Sequence, residues 1–259
     1  MGRVRVQGMN MHVYIINLDS ATDRWKFVSD SFAKTGLEFT RISGVLGKEL
    51  TLPHPQYRDA SFALRHGHKT NYGQIGCYFS HLKSLQAFLA SPHQHAIIAE
   101  DDALPDANLA EIVTRAIDFQ PTWDVLRLSG FHNPHPQPYA SLIADYELCV
   151  CFTRLCGTGA YMVTRHAAEV LLDQLDPMLV PIDHAIDREW VYGLRSAAVI
   201  PLPIAQTAHR FASQCTGSQD EKFPWYVRYW TVFPYRAWTE TSRVVHRSRQ
   251  LRAARRLAA

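Results

Sequence analysis

The chain has 259 residues, of which 47% are hydrophobic, and a formal net charge of +3. That length suits one large domain with a real core, and no run approaches the roughly 18–20 consecutive apolar residues that cross a bilayer. Five cysteines (Cys77, Cys149, Cys151, Cys156 and Cys215) without a CxxC pair argue against a disulfide framework; the 149/151/156 group reads as buried thiols rather than a soft-metal site.

The opening MGRVRVQGMNMHVYIIN lacks a signal-peptide apolar core with a cleavage site, so a cytoplasmic location is expected, with residues 1–11 as an extension. Residues 12–18 (HVYIINL) read as a short buried strand. Trp25, Val28 and Phe32 then repeat at helical steps toward a terminator at Gly36. A second strand is expected at 37–43, and 44–72, with scattered Gly, Pro and His, reads as a long loop or lid. The clearest helix is 74–90, where Ile75, Tyr78, Phe79, Leu82, Leu85 and Leu89 trace one face. A strand at 96–99 runs straight into Glu100-Asp101-Asp102.

Beyond it, Asp106 is a candidate cap for a helix carrying Leu109, Ile112, Val113 and Ile117. Residues 124–129 alternate as a strand, and the Pro-rich 131–140 reads as a loop. A strand at 159–163, a helix capped by Thr164, a helix over 182–194 and a strand at 197–200 complete the body. Strands alternating with helices predict an α/β fold with a mostly parallel sheet. No internal repeat is visible.

In open α/β sheets ligands gather at the carboxyl ends of strands, where Glu100, Asp101 and Asp102 stand. Clustered carboxylates repel unless a cation neutralises them, and oxygen ligands suit Mn²⁺ or Mg²⁺. A solvated acidic turn with capping duty explains the same residues equally well.

Four segments carry a resemblance: YIINLDSATDRW (14–25), GQIGCYFSHLKSLQ (73–86), IIAEDD (97–102), and GTGAYMVTRHAAEVLL with PIDHAIDREW (157–172 and 181–190). In order and spacing they resemble the bacterial lipopolysaccharide and lipooligosaccharide glycosyltransferases of family 25. The resemblance implies a GT-A-like nucleotide-sugar-binding domain over 12–222. It also implies inverting transfer of a sugar, usually galactose, from a UDP-sugar to a saccharide or lipid-linked saccharide acceptor. The metal would be held by Glu100, Asp101 and Asp102, with His209 as a further ligand. Asn17, Arg24, Gly73, Ser80, His81 and Gln206 would bind the donor. Asp183 is the expected general base, with Asp187 four residues on as the alternative. A metal-dependent phosphoester hydrolase and a non-catalytic nucleotide-sugar-binding protein are the competing readings.

From Arg228 onward eight arginines face one acid, Glu240, whereas the preceding residues hold 19 basic against 23 acidic side chains. With the aromatics of 223–238, this basic tail (223–259) reads as a membrane-associating segment on the inner face of the cytoplasmic membrane. No nucleic-acid-binding motif accompanies it.

Overall fold

The computed structural model describes residues 10–51, 54–68, 71–132, 134–207 and 222–258, with only the backbone of Asp59. His209 and Cys215 lie outside this set. An eight-stranded mixed sheet forms the frame. Its strands in chain order are β1 (Met11–Asn17), β2 (Phe39–Ser43), β3 (His95–Glu100), β5 (Val125–Arg127), β6 (Pro136–Ser141), β7 (Glu147–Cys151), β8 (Ala160–Thr164) and β9 (Ser196–Ile200). A separate antiparallel pair joins β4 (Ala103–Pro105) to β10 (Ile204–Gln206). The spatial order is β2-β1-β3-β8-β5-β9-β7-β6. Six strands run one way, as the α/β pattern predicts. β8 and β7 run against them and make the sheet mixed.

The apolar runs are continuous because both faces of the sheet are covered. Side chains alternate along a strand. Met11, Val13 and Ile15 of β1 therefore enter one core with α1 (Thr22–Phe32) and α4 (Leu109–Ile117). Tyr14 enters the other, with α3 (Tyr72–Leu89), α5 (Arg165–Gln174) and α6 (Ile182–Ile186). Asn71 caps α3 by accepting from the Gly73 and Gln74 amides, and Thr164 caps α5 through the Ala167 amide, as expected.

Several expectations are corrected. The loop expected over 44–72 contains a helix, α2 (Asp59–His66), ended by Gly67 at φ +79°. The Pro-rich loop expected over 131–140 contains β6, an edge strand, where prolines are tolerated because half the backbone amides need no ladder partner. β7 has no counterpart in the sequence reading. The expected 182–194 helix stops at Ile186 and resumes as a 3₁₀ turn over Glu189–Tyr192. Asp106 does not cap α4; Asn108 holds that position, and the Asp106 carboxylate accepts from the Asn108 amide instead.

The basic segment forms α7 (Trp225–Trp230) and α8 (Val232–Ala258), and α8 lies across β6, β7 and the 3₁₀ turn. Its buried face carries Arg243, Arg247, Gln250, Leu251 and Ala254. Arg247 is fully buried and donates to both Glu189 oxygens, at 2.7 and 3.0 Å, and to the Cys151 carbonyl. A buried pair broken on one side leaves an uncompensated charge. Arg247→Met is therefore expected to lose about 3–5 kcal/mol in a denaturant melt. Adding Glu189→Leu should recover most of that loss; failure of the double variant to recover would refute the pairing as the anchor of α8.

Candidate active site

β1 sits between β2 on one side and β3 on the other, so the chain parts at the carboxyl ends of β1 and β3. A cleft of about 690 Å³ opens there. Of the residues expected at the site, Arg24, Gly73, Ser80, His81, Glu100, Asp101, Asp102, Asp183 and Gln206 line it; Asn17 and Asp187 stand behind its walls.

The three consecutive acids have different partners. Asp101 is used structurally. Its Oδ2 accepts from Asn17 Nδ2 at 2.8 Å, and its Oδ1 accepts from Arg24 Nε at 2.7 Å and from Arg24 Nη2. Asn17 in turn accepts from Arg41 at 2.9 Å. Asn17 thus orients Asp101 from behind the cleft wall. Glu100 Oε1 accepts from Thr158 Oγ1 at 2.7 Å and stands 3.4 Å from His81 Nε2. Burial pushes the Glu100 carboxyl up, but His81, Thr158 and Arg24 together bring it below the ordinary value. Asp102 has the opposite balance. Burial, then the Glu100 charge, push its carboxyl from 3.8 up to about 6.

Three polar atoms of cleft-lining residues are buried without a partner, Asp102 Oδ1, Gln74 Oε1 and Gln206 Oε1, and His81 Nε2 has only the 3.4 Å contact with Glu100. Buried polar groups are normally paired, so this concentration marks a place shaped for something else. The residues fit a divalent cation. Asp102 offers an unpaired carboxylate oxygen whose charge is otherwise costly, and Glu100 stands beside it. The three acids do not converge as one ligand set, because Asp101 is taken by Arg24 and Asn17. Among the described residues, the ligand atoms that do converge within 4.8 Å are those of Cys77, His81 and Glu100, and of Cys156, Asp183 and His184. The first set lines the cleft, and its His81 is oriented through Nδ1 by the Tyr161 hydroxyl at 3.1 Å.

Ser80 holds the cleft wall. Its hydroxyl accepts from the Val45 amide at 2.8 Å and donates to the Gly76 carbonyl at 2.7 Å. This pins the 44–48 loop to α3, where Gly47 and Gly76 meet so closely that a Cβ on Gly47 would lie 1.8 Å from the Tyr72 carbonyl oxygen. The opposite wall is the turn at Cys156-Gly157, at φ +48° and +72°. Arg127 donates to both of its carbonyls and, at 2.8 Å, to Asp187 Oδ1. Asp187 Oδ2 accepts from the Cys156 amide at 3.0 Å, and Asp183 Oδ2 accepts from the Gly157 amide at 3.3 Å. The two aspartates thus grip one turn, but only Asp183 faces the cleft. Asp187 is 1% exposed and locked in an ion pair.

Sequence reasoning missed Gln74 and Thr158. Thr158 had a signal: it lies between Gly157 and Gly159, and a Cβ on Gly159 would stand 2.2 Å from the Gln206 amide. Gln74 had none beyond its place in the first turn of α3.

In a two-faced α/β sheet, an acid-floored cleft at the switch point is where a ligand binds. Residues 10–186 match glycosyltransferase family 25 (LPS biosynthesis protein), and the chain belongs to that family. It is 23% identical over 190 residues to a glycosyltransferase 25 family member of Aedes aegypti. That match covers 68% of this chain and 30% of the relative, so the chain spans about a third of the relative's length. Among solved structures it is similar to a glycosyltransferase involved in glycosylation of the major capsid of PBCV-1, at 12% identity and TM-score 0.38, covering 73% of this chain and 80% of that one. It is also similar to a Drosophila beta-1,4-galactosyltransferase 7 mutant in complex with manganese, UDP-Gal and xylobiose, at 10% identity and TM-score 0.41, covering 83% and 80%.

The Asp102 shift has a stability consequence. A carboxyl whose folded value is raised supports the fold below its unfolded value, and that support is lost as pH rises through about 6. Asp102→Asn is therefore expected to stabilise the protein by about 1–3 kcal/mol at pH 8, with the gain vanishing near pH 4. Equal or lower thermal stability of the variant at pH 8 would remove the unpaired charge from the account.

Proposed function

We propose that the chain transfers a sugar, galactose, from a UDP-sugar to a saccharide acceptor with inversion at the anomeric carbon. The observation that carries this reading is the arrangement of the cleft. Asp102, with one carboxylate oxygen unpartnered, lines it together with Glu100, Asp183 and the side-chain amides of Gln74 and Gln206, whose oxygens are also unpartnered.

Asp102, with Glu100, would hold Mn²⁺ or Mg²⁺. When bound, such an ion supplies neutralisation of the diphosphate's negative charge. Arg24, fixed by Asp101, adds a permanent cation at the same edge. Gln74 and Gln206 offer carbonyl acceptors to donor hydroxyls or the uracil imide. Asp183 takes the proton of the acceptor hydroxyl as its oxygen bonds to the anomeric carbon. The bond from that carbon to the diphosphate oxygen breaks, and UDP leaves with the electron pair. The Gly157 amide holds the Asp183 carboxylate in place for that transfer.

Asp183→Asn is expected to cut turnover about 10²–10⁴-fold while leaving UDP-sugar affinity within about twofold. The check is UDP release in the presence of a saccharide acceptor, with and without Mn²⁺. Unchanged turnover would remove Asp183 as the base. Absence of UDP-sugar binding by the wild-type protein would sink the transferase reading itself.

The membrane part of the proposal concerns α7 and the start of α8. No helix among the described residues is long and apolar enough to cross a membrane. Trp225 and Trp230 are 75% and 77% exposed, and Tyr226, Tyr229, Phe233 and Trp238 are exposed with them. Aromatics of this kind favour the headgroup level of a bilayer. Arg249, Arg252, Arg255 and Arg256 are exposed further along the helix, whereas Arg243 and Arg247 are buried and cannot contribute. A peripheral position on the cytoplasmic face would bring the cleft to a lipid-linked acceptor, as lipopolysaccharide synthesis requires. The wild-type protein should float with vesicles containing anionic lipid, and Trp225→Ala/Trp230→Ala should lose most of that binding. Equal flotation of the two proteins would exclude the aromatic patch as the anchor.

A further inference from the structure

Behind Asp183, α2, α8 and the loops that follow β7 and α6 bring five guanidinium groups around one depression. Its lining includes Arg65, Arg154, Arg188, Arg236, Arg243 and Tyr235. The one carboxylate among its lining residues is Glu240, which pairs with Arg154 at 3.1 Å and with Arg243. Five positive charges thus face one negative charge.

The excess is only partly offset by other contacts. Arg188 donates to the Tyr235 hydroxyl, and Arg65 and Arg188 each lie 5.8 Å from the Tyr235 ring centroid. Arg243 is 1% exposed, lies 5.1 Å from the Trp190 ring centroid, and keeps a buried Nε without a partner. The Arg236 guanidinium has no hydrogen bond or ion pair among the described residues. Burial, then the charges of Arg154 and Arg228, lower its pKa below the ordinary value. A cluster of cations packed this way, with unsatisfied donors, is costly unless an anion joins it.

We propose that this depression binds a phosphoryl group carried by the acceptor substrate. A phosphoryl group brings a charge of about −1.5 to −2 and three acceptor oxygens to the guanidinium forks; a carboxylate would bring one charge. The depression is half open and small, about 20 Å³, too small for a sugar ring. The pocket and the cleft share a wall. His184 lines the pocket, and its ring nitrogen, an Asp183 carboxylate oxygen and the Cys156 sulfur lie within 4.8 Å of one another. An acceptor anchored by its phosphoryl group would therefore present a neighbouring hydroxyl at Asp183. Only the assignment to the acceptor rests on the transferase reading; the anion site stands on its own residues.

The test titrates the full chain with inorganic phosphate and with a hexose 6-phosphate, against sodium chloride at matched ionic strength, reading thermal stability and binding directly. Both phosphates should bind and raise the melting temperature, where chloride does not. Arg236→Gln and Arg65→Gln, on two different helices, should each weaken phosphate about tenfold or more, with UDP-sugar binding unchanged. Should one variant fail to fold in chloride, the other decides. A response to chloride equal to that to phosphate, or phosphate affinity unchanged in the folded variants, would overturn the site. Phosphatidic-acid vesicles form a third arm. Capture that needs Arg65 and Arg236, with no response to soluble phosphate, would overturn the acceptor assignment in favour of a lipid headgroup. Phosphate binding without any UDP-sugar binding would leave the anion site standing and remove the transferase reading.

Discussion

The buried pair between Arg127 and Asp187 organises the far wall of the cleft. Both groups are almost wholly enclosed, so neither is affordable without the other. Burial alone would raise the Asp187 carboxyl; the charges of Arg127 and Arg247 bring it below the ordinary value instead. What the pair stabilises is a backbone conformation. Cys156 adopts a left-handed φ that a residue with a Cβ avoids. Arg127 takes the carbonyls of the 156–157 turn and Asp187 takes an amide, which over-determines that conformation. From this turn Gly157 steadies Asp183 and Thr158 reaches Glu100, so one ion pair sets both carboxylates that face each other across the site.

The near wall follows a similar logic with different materials. Asp101 takes the close contacts of Arg24 and Asn17, and Arg24 reaches Asp102 Oδ2 only at 3.9 Å, so Asp102 is less well compensated. Adjacent acids therefore reach opposite states. Glu100 is held ionised by its donors, while Asp102 carries a charge that burial penalises. Functional sites are built from groups whose surroundings push them apart in this way. Ser80 and the close approach of Gly47 to Gly76 then fix the loop that roofs this wall.

The C-terminal helix connects these walls to the outside of the molecule. Arg247 ties α8 to Glu189, immediately after the segment that carries Asp183 and Asp187. Positions on α8 that read as a basic, poorly amphipathic tail are divided by the fold into two populations. Those at Arg243, Arg247 and Gln250 are buried against the body, and those at Arg249, Arg252, Arg255 and Arg256 remain in solvent. The aromatic start of the segment stays exposed, so docking of α8 presents it rather than hides it.

The sequence by itself determined the layered α/β architecture, because strand and helix periods are local and both appear cleanly in β1, α3 and β3. The same local order placed Glu100–Asp102 at a strand end and put Asp183 beside Pro181. The edge strand β6 escaped, since a proline-rich, half-exposed segment carries no period of its own until a neighbour pairs with it, and β7, buried between β9 and β6, escaped because so short an apolar run shows no clear period. α2 escaped because its sequence is short and uncapped by a side chain. Only the tertiary structure decided how work is shared among similar residues. Spacing left Asp187 as an alternative to Asp183, and made three consecutive acids one cluster. Arg127, Arg24 and Asn17, brought in from elsewhere in the chain, decide which carboxylates are consumed and which remain available. Charge pairing acts through space and not along the backbone, so no window of sequence contains that information.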